Sequence, residues 1–147
     1  MDRKQFLIEK MKLKNIKEKI NSISGVSIIN VYEYSNICEN YIEQMDQIYK
    51  IDFPILTTKE IGDERYKYIE YLYKYLKLQT GSYTWLLPNF DISCWWLELK
   101  IDNLCNFLDI YYPDNFSIDL TAIDVNNKLL FDIGYGESDI EYCVIWL

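Results

Sequence analysis

Apolar residues recur along this chain at two periods, and the change from one to the other marks out its elements. Leu13, Ile16, Ile20 and Ile23 step by three or four residues, the spacing of one helical face, and predict a helix over residues 3–23 that Gly25 stops. Lys4, Lys10, Lys12, Lys14, Lys17 and Lys19 cover its other faces, as expected for a solvated exterior. Residues 26–34 alternate and are rich in β-formers, which predicts a strand. Ser35, with Glu39 close behind, caps a helix running to residue 49 on Ile37, Tyr41, Ile42, Met45 and Ile48, and Phe53-Pro54 breaks it. A longer helix over residues 58–79 follows, with Ile69, Leu72 and Leu76 on one stripe. Tyr66, Tyr68, Tyr71, Tyr73 and Tyr75 ring it almost completely, the pattern of a helix that is buried or presents one face to a partner, with core packing the commoner case.

Residues 83–87 form a short strand ended by Pro88. Asp91 then caps a helix on Cys94, Leu97, Ile101, Leu104, Leu108 and Tyr111, closed by Pro113. Trp95-Trp96 near its start keep a strand over residues 92–99 as the alternative. Period two returns in the tail: strands over 116–125 and 128–135 joined at Asn126-Asn127, then Gly134, Gly136 and the acidic residues 137–139 as a turn, then a strand over 140–147. Asn suits the positive φ of tight hairpins. The run from Tyr142 to Leu147 is apolar on both faces, as in a covered interior strand. The expected fold is α+β: about four helices packed on a small, mainly antiparallel sheet with a C-terminal three-stranded meander, in one domain over residues 1–147.

Charge changes the picture. Residues 81–147 hold eleven carboxylates against Lys100 and Lys128, a net of −9, whereas the first 80 residues net +1, for −8 in all. Such a half repels polyanions and suits a basic protein surface, so neither nucleic acid nor a membrane is expected as a partner. The first twenty residues contain no apolar h-region, and no run approaches a membrane span, so the chain reads as cytoplasmic. Cys38, Cys94, Cys105 and Cys143 are scattered with no C-x-x-C, and read as small hydrophobes in a reducing compartment.

The chain has no His, which removes Ser-His-Asp and Cys-His nucleophiles and His-based metal centres. It has no phosphate-cradling Gly-rich loop; Gly134-Tyr135-Gly136 lacks the third glycine. Asp119, Asp124, Asp132, Glu137, Asp139 and Glu141 crowd the meander with almost no orienting cation, a pattern closer to a docking surface than to a catalytic centre. Trp95 and Tyr135 add aromatic anchors of the kind that dominate interface energetics. These eight residues are the expected partner-binding set, with no enzymatic activity, cofactor or metal, and a monomer or weak homodimer as the expected state.

The strand over 116–125, the Asn126-Asn127 hairpin, the returning strand and the Gly-Glu-Ser-Asp turn into Ile140-Glu141-Tyr142 resemble the small acidic immunity proteins of bacterial polymorphic toxin and contact-dependent growth inhibition systems. The resemblance covers the C-terminal half. It implies stoichiometric binding to one cognate toxin domain, often a DNase or RNase. Two other classes stay open at this level. One is a small adaptor or ligand-binding domain with an aromatic pocket around Trp95, Trp96 and the Tyr-rich helix; the other is a metal-dependent carboxylate hydrolase.

Overall fold

The computed structural model describes residues 1–60, 82–88, 92–111, 120–135 and 139–147. The chain runs α1 (Arg3–Asn21), β1 (Val26–Glu33), a 3-10 turn (Tyr34–Asn36), α2 (Glu39–Ile48), β2 (Thr57–Glu60), β3 (Tyr83–Leu87), β4 (Trp95–Ile101), α3 (Leu104–Tyr111), β5 (Leu120–Asp124), β6 (Leu129–Tyr135) and β7 (Asp139–Trp146). The strands form one seven-stranded sheet in the order β1-β4-β3-β5-β6-β7-β2. Every neighbouring pair is antiparallel. The α+β class and the C-terminal meander match the sequence reading. Three α-helices lie among the described residues rather than about four. Residues 58–60 belong to strand β2 instead of opening a helix, and the rest of the helix expected over 58–79 lies outside the described residues, apart from the strand itself.

Both faces of the sheet are covered, and the alternation along each strand decides which residue goes where. On one face Trp85, Leu87, Trp95, Leu97, Leu99, Ile101, Leu120, Ala122, Phe131 and Ile133 pack with Leu13 and Ile20 of α1 and with Leu104, Phe107 and Leu108 of α3. On the other, Leu86, Trp96, Ile123, Leu130 and Cys143 meet Met45 and Ile48 of α2. Trp85 sits at the centre of the first layer with no exposed surface. Its ring meets Phe131 at 5.1 Å and 71° and Phe107 at 5.7 Å and 84°, both edge-on arrangements that aromatic quadrupoles favour. Its indole N–H has no hydrogen-bond acceptor among the described residues.

The largest departure from the sequence pattern is β4. The stepping from Cys94 to Tyr111 that predicts one helix is split: residues 95–101 are a strand and residues 104–111 a helix. Trp95, Leu97, Leu99 and Ile101 step by two onto one face, and this alternation, the alternative the Trp pair kept open, prevails because β1 and β3 pair with it on both sides. The strand-to-helix junction is held from outside. Asp102 and Asn103 donate backbone N–H groups to the Gly25 carbonyl (2.7 and 2.9 Å), and the Asn103 side chain caps α3 by accepting from the Asn106 N–H (3.0 Å).

Two turn assignments also change. Cys38, not Ser35, stands at the N-cap of α2, with Ser35 inside the 3-10 turn. In the β5–β6 hairpin the positive φ falls on Lys128 (54°) and not on the asparagines. The Asp124 carboxylate accepts from the Asn127 N–H (3.0 Å) and side-chain amide (2.9 Å), which fixes the loop instead. β7 lies between β6 and β2, but β2 pairs only with residues 139–142, and Trp146 is 73 % exposed.

Gly25 has φ of +80°, and a Cβ there would lie 2.5 Å from the Asn103 Cβ. The substitution Gly25→Ala is therefore expected to cost at least about 1 kcal/mol from the backbone alone, and more from the contact with the α3 cap. Urea unfolding of the two proteins at one pH measures it.

Candidate functional site

α2 packs the Met45-Ile48 ridge on its side of the sheet, and it ends at Tyr49, its C-cap residue. The Tyr49 hydroxyl donates to Thr121 Oγ1 (2.7 Å), and the Thr121 hydroxyl donates to Asp132 Oδ1 (2.6 Å). Thr121 and Asp132 are register partners on β5 and β6, and Asp132 faces Cys143 across β7. This relay ties the helix end to the meander through a carboxylate that is only 8 % exposed. A buried carboxylate is tolerated where donors satisfy it, and Thr121 supplies one here.

Beside the relay opens a cleft of about 280 Å³, lined by Tyr49, Lys50, Ile51, Phe53, Asp132 and Glu141 among others. Gly134 lies directly opposite Glu141 in the register, and its lack of a side chain leaves that part of the floor open. Glu141 is half-buried, and neither it nor the Lys50 ammonium is engaged in an ion pair or side-chain hydrogen bond among the described residues. Ile51 stands fully in solvent at the rim, with Ile55 48 % exposed. Across Tyr49 a second recess of about 300 Å³ opens towards Tyr34, Asp46 and Trp96.

The expected partner-binding set is divided by this geometry. Glu141 lines the cleft, and Asp132 lies in its floor. Asp124 is 5 % exposed and is consumed by the β5–β6 hairpin, so it is part of the fold and not of an outward acidic face. Asp132, likewise, is a buried acceptor rather than a surface charge. Trp95 is 8 % exposed and packs on Phe6 of α1 at 5.6 Å, where Glu9 accepts from the neighbouring Ser93 N–H (2.9 Å); it is a core residue. Tyr135 and Asp139 end β6 and start β7, in register with Ile140 and Glu60 respectively. Asp119 and Glu137 lie outside the described residues.

Tyr49, Lys50 and Phe53 were not singled out by the sequence reading. Tyr49 was seen only as the last residue of a helix, and the signal that could have raised it is its place between the Met45-Ile48 core ridge and the Phe53-Pro54 break. Among the described residues no group of three or more His, Cys, Asp or Glu converges as a metal site, and no helix is long and apolar enough to cross a membrane.

On the opposite face, burial raises the pKa of the Tyr142 phenol above its ordinary value near 10, and the Asp124 charge adds to the effect; Tyr83 is raised by the same two causes. A raised phenol pKa means that the folded state holds its proton more firmly than the unfolded chain. The associated stability is complete below pH 10 and is lost as pH climbs through the folded-state value. Tyr142→Phe should therefore lose less stability than the parent between roughly pH 9 and 11, as read from urea midpoints.

Thr121→Val removes the hydroxyl that joins Tyr49 to Asp132 while keeping the volume. It should destabilise the fold by about 1–3 kcal/mol, because a buried carboxylate loses a donor. The same substitution should leave Trp95 and α1 unchanged, which amide NMR shifts report residue by residue. No protein-family model, curated protein or solved structure matches this chain.

Proposed function

We propose that this chain is a non-enzymatic immunity protein that binds a cognate bacterial toxin domain with a basic surface, a DNase or RNase, and that it docks through the Glu141 cleft and the acidic tail around it. The observation that carries this reading is the cleft itself: a carboxylate with no ion pair among the described residues, set beside apolar residues left in solvent, on a chain with net charge −8. A basic side chain entering there would lay its aliphatic stem against Ile51, Phe53 and Ile55 and bring its charged head to Glu141. Apolar contact with a carboxylate at its centre is a common interface arrangement, and the surrounding negative field speeds encounter with a positive partner.

The resemblance of the C-terminal meander to acidic immunity proteins supports the same class, and the absence of His from the sequence fits a binding role. Buried Asp124 and Asp132 shift the proposed contact set towards Glu141 and the cleft rim, away from the even acidic face that the sequence pattern suggests.

Co-expression with the C-terminal domain of the adjacent upstream reading frame tests this. Growth rescue and a stable complex are expected, with association slowed by about tenfold or more when salt is raised from roughly 0.05 to 0.5 M. Glu141→Gln should weaken the complex without changing the unfolding midpoint. A toxic neighbour that the chain neither binds nor neutralises sinks the proposal.

A further inference from the structure

The recess on the other side of Tyr49 differs from the Glu141 cleft in its chemistry. Ile42, Met45, Asp46 and Tyr49 recur at helical spacing along α2 and form one wall. Trp96, 5 % exposed, and Met45, 7 % exposed, lie at the base. Tyr34 and Tyr49 stand at its edges, 47 % and 45 % exposed, and the exposed Asp46 sits at the rim. Tyr34 meets the Trp96 ring edge-on at 6.4 Å and 66°, so the two rings are held at an angle and do not stack flat.

We propose that this recess seats one organic cation, an alkylguanidinium or a quaternary alkylammonium group, between the Tyr34, Tyr49 and Trp96 rings and the Asp46 carboxylate. Three features select a cation over other occupants. Aromatic faces carry negative potential, and angled Trp and Tyr rings around a recess are the arrangement that holds alkylated ammonium and guanidinium groups. Asp46 is the charged residue lining the recess; no Lys or Arg lines it among the described residues, and the Asp46 carboxylate is engaged by no donor among them. The net charge of −8 disfavours an anion.

Size narrows the choice further. At about 300 Å³ the recess is at the small end of ligand clefts, which suits a single cationic head and excludes a large planar cofactor. A divalent metal is a poor occupant because Asp46 is the one carboxylate lining the recess among the described residues, and hard cations take several oxygen ligands. Trp96 faces the α2 side because adjacent strand residues point to opposite faces and Trp95 packs on the α1 side.

The seat stands independently of the immunity proposal, since it requires only the folded chain. The test is a titration of the isotope-labelled full chain with tetramethylammonium chloride and with N-ethylguanidinium chloride, against sodium chloride at equal ionic strength and against tert-butanol as the uncharged isostere. The expected result is a saturable shift of the Trp96 indole and Met45 amide signals, half-complete at a cation concentration on the order of millimolar. Tyr34→Ala and Asp46→Asn should each weaken it by about threefold or more. Asp102→Asn, an equal charge change at an exposed residue on the α3 side, should not. Tighter binding of the guanidinium points to a basic side chain of a protein partner as the source, and tighter binding of the quaternary ammonium points to a free small molecule.

Equal shifts from tert-butanol, or shifts from sodium chloride that match those from the organic cations, overturn the inference. So does a binding response that survives both Tyr34→Ala and Asp46→Asn. A saturable response here alongside a failed toxin-binding experiment leaves the cation seat standing and removes only the immunity reading.

Discussion

The sheet depends on a narrow seam. Among the described residues β3 and β5 share two register pairs, Trp85 with Asp124 and Leu86 with Ile123, extended by the Val125 N–H donating to the Thr84 carbonyl at 3.0 Å. On one side of that seam lie β1, β4 and β3; on the other lie β5, β6, β7 and β2. The ladder described there is short, and it is where the two half-sheets meet. Packing across the seam makes them one body, because Trp85 of β3 touches Phe131 of β6 and Phe107 of α3 from the same ring. On the reverse face Leu86, Ile123 and Leu130 continue the join beneath α2. Burying large apolar side chains on both sides of a weak ladder supplies what the ladder lacks.

The carboxylates divide by the same geometry. Asp124 at the seam is spent on the hairpin that turns β5 into β6, and Asp132 one strand over is spent on the hydroxyls of Thr121 and Tyr49. Both are buried acceptors whose hydrogen bonds offset the loss of water. Glu141 and Asp46, by contrast, line recesses on either side of Tyr49. Tyr49 therefore has two structural roles. Its hydroxyl anchors the end of α2 to the meander, and its ring separates a carboxylate cleft from an aromatic one. Both proposals place a positive group on this α2 side, and they differ in which wall of Tyr49 it meets.

Much of this architecture was legible in the residues. The stripe Leu13–Ile16–Ile20 does face the core from α1, the alternation after Gly25 is a strand, and the tail is a three-stranded meander. These elements follow from local periodicity, which depends only on whether side chains three, four or two positions apart must share a face. The stretch from Cys94 to Tyr111 misled because it fits both periods at once. Leu97 and Ile101 satisfy a helical step of four and a strand step of two equally well, and only the presence of β1 and β3 on either side gave the strand its hydrogen bonds.

The site was less legible, for a physical reason. Net charge and the crowding of acids in the meander are properties of the chain alone, and they set the sign of its field. Which acids face water is decided by register: Asp124 lies over the α1 side and Asp132 over the α2 side because their strands pair one way and not one residue further along. The recesses beside Tyr49 bring together residues from α2, the turn before it, β4, β6 and β7, which lie as far apart in the chain as Ile48 and Cys143 in one recess and Tyr34 and Trp96 in the other. The sequence by itself determined the elements, their apolar faces and the excess of negative charge, since each is a local or additive property. The tertiary structure alone decided which carboxylates were buried as acceptors and which were left lining recesses, because that depends on long-range pairing that no local pattern encodes.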